Sequence, residues 1–122
     1  MYKIRKTNKE GGTMTNMEKL QTAWDAKDLD GVKAMFTEDA IMVLLHENRT
    51  LRGAEVEEEL TAMVLDEETV SSEFRIIYEN DECAVTRERI AGLFFGGQVS
   101  IVQLWRDGQI YHMETSLIKD NT

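Results

Sequence analysis

The chain has few of the features that stabilise secreted or membrane-embedded proteins. Cys83 is the only cysteine in 122 residues, so no intrachain disulfide can form. No apolar run approaches the roughly 20 residues that a membrane-spanning helix requires, and the longest are short stretches such as residues 41–45. The start of the chain is polar and basic, unlike a secretory signal. These absences predict a cytoplasmic protein with no membrane contact.

Basic residues are also scarce. The formal net charge is −9, from 14 Lys and Arg against 23 Asp and Glu. Four of the basic side chains lie in the first thirteen residues, which leaves ten basic and twenty-two acidic side chains for the rest. Phosphate binding needs a concentrated basic face, so the composition predicts no nucleic-acid partner.

Length and composition together indicate one domain. A chain of 122 residues with 42% hydrophobic content can build one core without disulfides. Residues 1–14 are polar and contain Gly11 and Gly12, so we expect a flexible basic tail there. We expect the domain to occupy residues 15–118, followed by a C-terminal tail at 119–122.

Three short helices are predicted in the first half of the chain. Thr15 and Glu18 have the spacing of a capping box at the start of the first helix. Asp28 or Asp30 can cap the second, and Gly53 opens the third. Apolar side chains recur at helical spacing in each: Met17, Leu20, Ala23 and Trp24, then Val32, Met35 and Phe36, then Val56, Leu60, Met63 and Val64. Each helix should therefore bury one face.

Strands are predicted between and after these helices. Residues 40–45 form an apolar run typical of a buried strand, and a polar loop follows at 46–49. From Thr69 onward, about four strands are separated by turn signals at Asn80-Asp81, Gly96-Gly97 and Asp107-Gly108. These strands are long enough to suit a strongly bent sheet. The order of elements predicts an α+β fold.

The same order and spacing resemble the SnoaL-like branch of the nuclear transport factor 2-like superfamily over residues 15–118. The motifs that carry the resemblance are Trp24…Asp28-Leu29-Asp30…Met35-Phe36…Asp39-Ala40, Arg52-Gly53 before a helix, and Trp105…Gly108…Ile110. The resemblance implies a cone-shaped α+β barrel, with three N-terminal helices packed in the concave face of a strongly curved, mainly antiparallel sheet. It also implies an opening at one end and a homodimer formed through the convex face.

A pocket inside the cone is a further implication of the resemblance. Side chains alternate along a strand, so one inward position fixes every second residue. The pocket positions implied in this way are Leu20, Trp24, Met42, Leu44, Arg89, Ala91, Ile101, Gln103, Trp105, Tyr111, Met113 and Thr115.

The catalytic groups of enzymes in this superfamily are missing at most of these positions. Where ketosteroid isomerases carry a base and two oxyanion donors, this chain has Leu44, Leu20 and Ile101, which can neither transfer a proton nor stabilise an enolate. The sequence therefore predicts no catalytic set of that kind.

Epoxide hydrolases of the superfamily use a different set, of which only an arginine remains, as Arg89. Ala91 and Thr115 stand where that set has its two acids, while Met42 and Leu44 replace its other two polar residues. That mechanism also lacks its base, so both comparisons favour binding over catalysis.

We therefore expect a non-catalytic protein that binds a small hydrophobic or amphipathic molecule, without a metal or cofactor. A mostly apolar cavity with a few polar groups is typical of small-ligand sites. Arg89 is either the anchor for a ligand carboxylate or carbonyl, or a strand residue paired at the sheet surface. His46 and His112 lie far apart in the sequence and do not predict a metal site.

Two alternatives remain open. In the first, the chain is an enzyme of the hydrolase, isomerase or polyketide cyclase type that acts on a small hydrophobic substrate, with Tyr111 or His46 as acid or base and Arg89 stabilising negative charge. Otherwise it is a dimeric interaction module in which Trp24, Trp105 and Met113 fill the cone.

Overall fold

The computed structural model describes residues 14–92 and 95–120, which contain three α-helices and six strands. Expectations for residues 1–13, 121 and 122 lie outside the described residues. The helices are α1 (Asn16–Asp25), α2 (Leu29–Ala34) and α3 (Ala54–Leu65). The strands are β1 (Phe36–Leu44), β2 (Arg49–Arg52), β3 (Val70–Glu79), β4 (Cys83–Ala91), β5 (Gly96–Arg106) and β6 (Gln109–Lys119).

Side-chain caps place the helices where the sequence predicts them. The Thr15 hydroxyl accepts from the Glu18 amide at 3.2 Å, and the Glu18 carboxylate accepts from the Thr15 amide at 3.0 Å, which confirms the capping box. Asp28, rather than Asp30, caps α2 by accepting from the Gly31 amide at 3.0 Å. Gly53 precedes α3 with φ of 58°, a conformation that glycine adopts more readily than other residues.

The six strands form one sheet in the order β2-β1-β6-β5-β4-β3. Every neighbouring pair is antiparallel except β1 and β6, which run parallel. The helices and the sheet share one core, which contains Leu20 of α1, Leu60 of α3, Met42 of β1 and Met113 of β6. The predicted α+β cone of three helices on a mainly antiparallel sheet is confirmed.

The first strand is longer than predicted, and a short strand follows it. β1 begins at Phe36, because Phe36 pairs with Ile110 of β6 while the Ile110 amide donates to the Met35 carbonyl at 2.8 Å. The predicted loop contains a 3₁₀ turn (Leu45–Glu47) and then Asn48, whose φ of 53° reverses the chain so that β2 pairs with β1. Asn tolerates this left-handed conformation better than most residues.

Two predicted turns are confirmed, and one is displaced. Asn80 caps the turn between β3 and β4 by accepting from the amides of Glu82 and Cys83, both at 2.8 Å. Asp107 and Gly108 connect β5 to β6 with φ of 53° and 78°. Gly96 and Gly97 instead belong to β5, where a Cβ on Gly97 would lie 2.5 Å from the Ile118 carbonyl oxygen. Glycine is required there because β5 and β6 approach closely.

The C-terminal end of the packed structure lies close to the predicted domain boundary but does not coincide with it. β6 includes Lys119, and Asp120 forms an ion pair with Arg89, so the packed structure extends beyond the boundary expected at residue 118. Among residues 14–92 and 95–120, no helix is long and apolar enough to span a bilayer.

Candidate ligand cavity

A cavity of about 420 Å³ lies between α1, α3 and the concave face of the sheet. Its lining is mainly apolar and comes from helices and strands alike: Met17, Leu20, Trp24, Leu44, Met63, Val64, Phe74, Ile90, Val99, Ile101, Met113 and Leu117. The volume falls within the range of about 300–1,000 Å³ that small-molecule sites occupy. The cavity has a few polar groups among these apolar side chains.

The structure brings some of the predicted pocket residues together around this cavity. Those that line it are Leu20, Trp24, Leu44, Ile101, Gln103, Met113 and Thr115. Met42 and Trp105 also point inward, but they are buried in the core, with 0% and 3% of their surface exposed, and do not line the cavity. Trp24, Trp105 and Met113 therefore do not fill the cone.

The predicted inward positions on β4 are wrong by one residue. Thr86 pairs with Ile101 and Glu88 pairs with Val99, and residues directly opposite each other in an antiparallel pair share a face. Thr86, Glu88 and Ile90 therefore line the cavity. The side chains between them, at Arg87, Arg89 and Ala91, lie on the opposite, convex face.

Arg89 accordingly pairs with an acidic residue at the surface and does not line the cavity. Its Nη2 donates to the Asp120 carboxylate, and about a third of the Arg89 side chain is exposed. Ala91 is exposed. The alternative of an arginine paired at the sheet surface is the one that the structure shows, with Asp120 as the acid.

Tyr111 also lies outside the cavity, because the pairing of β5 with β6 is irregular there. Leu104 pairs with His112, whereas Trp105 pairs with Ile110, so Tyr111 is the extra residue of a bulge. The bulge makes Ile110 the inward residue in place of Tyr111, and Ile110 is fully buried. The Tyr111 ring instead packs under Arg106, whose Cζ lies 4.2 Å from the ring centroid.

Glu88 is the ionisable group that the sequence analysis missed. Its carboxylate accepts from the Ser71 hydroxyl at 2.8 Å, across the β3–β4 pair. Burial raises the pKa of Glu88, the nearby Asp25 carboxylate raises it further, and the Ser71 hydrogen bond acts in the opposite direction. Only the strand register, which one sequence does not reveal, distinguishes Glu88 from its neighbour Arg89 as the inward residue.

Two deeply buried polar residues also contribute to the lining of the cavity. Gln103 and Thr115 are 2% and 6% exposed and both line it. Their side-chain oxygens, Gln103 Oε1 and Thr115 Oγ1, have no hydrogen-bond partner among the described residues. Most buried polar atoms in proteins are hydrogen-bonded, so these two oxygens are unusual.

Acidic side chains dominate the charged part of the lining. Besides Glu88, the carboxylates are those of Asp25, Glu47, Glu59 and Asp66. The basic groups of the lining are already engaged. Lys27 Nζ donates to the carbonyl oxygens of Val64 at 3.1 Å and of Asp66 at 3.0 Å, while His46 Nε2 lies 3.5 Å from Glu47 Oε2. The charge of the cavity lining is therefore mainly negative.

Neither histidine takes part in a metal cluster. His46 lies at the cavity beside Glu47, whereas His112 lies on the convex face, 2.8 Å from the Glu114 carboxylate. In the part of the chain that the structure describes, no group of three or more His, Cys, Asp or Glu is placed to hold a metal ion.

Several solved structures share this architecture. A candidate ketosteroid isomerase from Kribbella flavida aligns with a TM-score of 0.70 and 10% identity, over 88% of this chain and 78% of that one. A nuclear transport factor 2-like protein of unknown function from Burkholderia xenovorans has a TM-score of 0.68 and 15% identity, over 88% and 83%.

A third structure, a nuclear transport factor 2-like protein of unknown function from Cytophaga hutchinsonii, has a TM-score of 0.67 and 11% identity, over 87% of this chain and 92% of that one. The fold is nuclear transport factor 2-like. No protein-family model matches the sequence, and no curated protein matches it either. At these identities, the nuclear transport factor 2-like structures establish the fold and not the function.

Proposed function

We propose that this protein is a SnoaL-like binding protein that holds a small, mainly apolar molecule in the cone cavity. The observation that carries this proposal is the cavity of about 420 Å³, which is lined mainly by apolar side chains and also by the polar residues Gln103 and Thr115. Small-molecule sites combine an apolar lining with a few polar groups in this way.

Binding without catalysis is supported by the residues at the superfamily's catalytic positions. Leu20, Leu44 and Ile101 line the cavity, and none of them can donate or accept a proton. These apolar side chains increase the surface available to an apolar ligand. Each CH₂ group that the ligand buries contributes about 0.8 kcal/mol.

The second candidate is an enzyme acting on a small hydrophobic substrate. Of the acid–base residues that the sequence suggests, Tyr111 lies outside the cavity, while His46 lines it beside Glu47. Glu88 adds a carboxyl group whose raised pKa, caused mainly by burial, is typical of a general acid or base. One structural neighbour is a candidate isomerase, which makes this the next function to test.

Filling the cavity tests the binding proposal. Ile101→Trp places an indole in the cavity, whereas Ser100→Trp places one on the opposite face of the same strand. We expect calorimetry with phenylbutanol, an apolar probe with one hydroxyl, to detect binding to the wild type and to Ser100→Trp, and no binding to Ile101→Trp. Equal binding to all three proteins would show that the probe binds elsewhere and would overturn the proposal.

A further inference from the structure

The cavity contains a carboxylate that has no counter-ion among the described residues. Glu88 faces the cavity from β4, and the Ser71 hydroxyl is the donor that its carboxylate binds. Among residues 14–92 and 95–120, no Lys, Arg or His forms an ion pair with Glu88. A partly buried carboxylate without a cation is unfavourable, because burial removes the water that stabilises its charge.

The surrounding groups do not supply that cation. Lys27, in the turn that follows α1 at the cavity, donates to the carbonyl oxygens of Val64 and Asp66 at the end of α3. His46, in the 3₁₀ turn, lies beside Glu47. The other charged groups in the lining are the carboxylates of Asp25 on α1, Glu59 on α3 and Asp66 after α3. Glu88 therefore lies in an acidic environment.

Two further polar residues of the lining are compatible with a donor ligand. Gln103 and Thr115 can each accept a hydrogen bond, although each can also donate one. On β5, Val99 lies opposite Glu88, and Gln103 follows it by four residues, or about 13 Å along a strand. The apolar surface between these points includes Ile101.

We propose that the ligand is a hydrophobic amine, whose protonated nitrogen binds the Glu88 carboxylate while its apolar body packs against Trp24, Phe74 and Ile101. This inference rests on the proposed function, because it assigns a ligand class to the same cavity. An alkylammonium stays protonated near neutral pH, as the lysine side chain does. A carboxylate ligand would instead meet Asp25 and Glu88, two groups of its own charge.

Three matched probes separate these possibilities: phenylbutylamine, phenylbutanol and phenylbutyrate share one apolar body and end in an ammonium, a hydroxyl and a carboxylate. Charge-assisted hydrogen bonds are stronger than neutral ones, so we expect calorimetry to show that the wild-type protein binds the amine roughly tenfold or more tightly than the alcohol. The carboxylate should bind most weakly.

Glu88→Gln removes the charge and preserves the shape and the acceptor that binds Ser71. We expect it to reduce the affinity for phenylbutylamine by roughly ten- to a hundredfold and to leave phenylbutanol unchanged. Glu114→Gln is the matched control, because Glu114 lies on the convex face of the same sheet, paired with His112. It should alter amine binding by less than about twofold, since solvent and salt screen a charge on the far face.

The outcomes distinguish the two proposals. If none of the three probes binds, both the proposed function and the amine inference are overturned. If phenylbutanol or phenylbutyrate binds as tightly as phenylbutylamine, or if Glu88→Gln retains full amine affinity, the binding function stands and the amine inference is wrong. The ranking of the probes on the wild type decides the question even if Glu88→Gln does not fold.

Discussion

The two faces of the sheet differ in how their polar groups are partnered. On the convex face, Arg87 Nε donates to the Ser100 hydroxyl at 3.1 Å, and His112 Nε2 lies 2.8 Å from Glu114 Oε2. On the concave face, the side-chain oxygens of Gln103 and Thr115 have no partner among the described residues. The contrast shows that deeply buried polar groups on the concave face can lack the hydrogen bonds that these convex-face groups make.

The largest expected effect is the loss of a dimer formed through the convex face. The sequence predicts a homodimer through this face, and the dimer stays a prediction. Val102 and Tyr78 on this face are 38% and 54% exposed, whereas Ile90 lines the cavity on the other face. We expect Val102→Lys to halve the mass seen by sedimentation at micromolar concentration, because it places a charge in an apolar contact.

Leu65→Lys is the control for the dimer, since Leu65 is exposed at the end of α3, away from the sheet. It should leave the mass unchanged. A wild-type protein that sediments as a monomer would show that the convex face is free in solution.

The next effect compares two glutamines on one strand. Gln103→Leu replaces the unpartnered acceptor in the cavity, and Gln98→Leu replaces an exposed glutamine on the convex face. We expect Gln103→Leu to raise the free energy of unfolding by about 1–3 kcal/mol, because the buried oxygen no longer lacks a hydrogen bond. Gln98→Leu should change it by less than about 0.5 kcal/mol.

Urea unfolding of the ligand-free proteins measures both changes. A destabilised Gln103→Leu protein would mean that the glutamine contributes to the fold rather than to a ligand site.

A smaller effect is expected on the pH dependence of stability when Glu88 is replaced. The pKa of Glu88 is raised, first by burial and then by Asp25, despite the Ser71 hydrogen bond. The stability contributed by its neutral form is therefore fully present below its unfolded pKa, near the ordinary value of 4.5, and is lost as pH rises through the raised folded pKa. We expect Glu88→Gln to be more stable than the wild type at neutral pH, with the difference disappearing in acid.

Thermal melts across this pH range check the expectation, with Glu114→Gln as the control. Glu114 Oε2 lies 2.8 Å from His112 Nε2 on the convex face, so its replacement removes a contact and should give no gain at neutral pH. Melting curves of Glu88→Gln and wild type that run parallel at all pH values would contradict the raised pKa.

The smallest effect is expected at Arg89. The side chains of Arg89 and Asp120 are 34% and 42% exposed, and a surface ion pair contributes about 0–1 kcal/mol. Arg89→Met should therefore lower the free energy of unfolding by no more than about 1 kcal/mol and leave the affinity for phenylbutanol unchanged. A large loss of affinity would restore Arg89 as a ligand anchor and contradict the strand faces described above.

How far the sequence could predict the structure depended on how local each signal was. The capping box at Thr15 and the turn at Asp107-Gly108 are set by residues within a few positions of one another, and both were predictable. The inward faces of β4 and β6 were not, because a slip of one residue moves every side chain to the other face. The observed register of β4 places Glu88, rather than the predicted Arg89, on the inward face. The bulge at Tyr111 places Ile110, rather than Tyr111, on the inward face of β6.

The parallel pairing of β1 with β6 has a consequence for how the protein is made. Met42 pairs with Met113, and β6 also pairs with β5, so the last strand is the one that joins the first two strands to the other three. Contacts so distant in sequence form slowly, because a long loop must close before they are gained. During synthesis on the ribosome, β1 and β2 must therefore wait with one edge open until residues 109–119 have emerged. A stalled or shortened chain would expose that edge to other molecules.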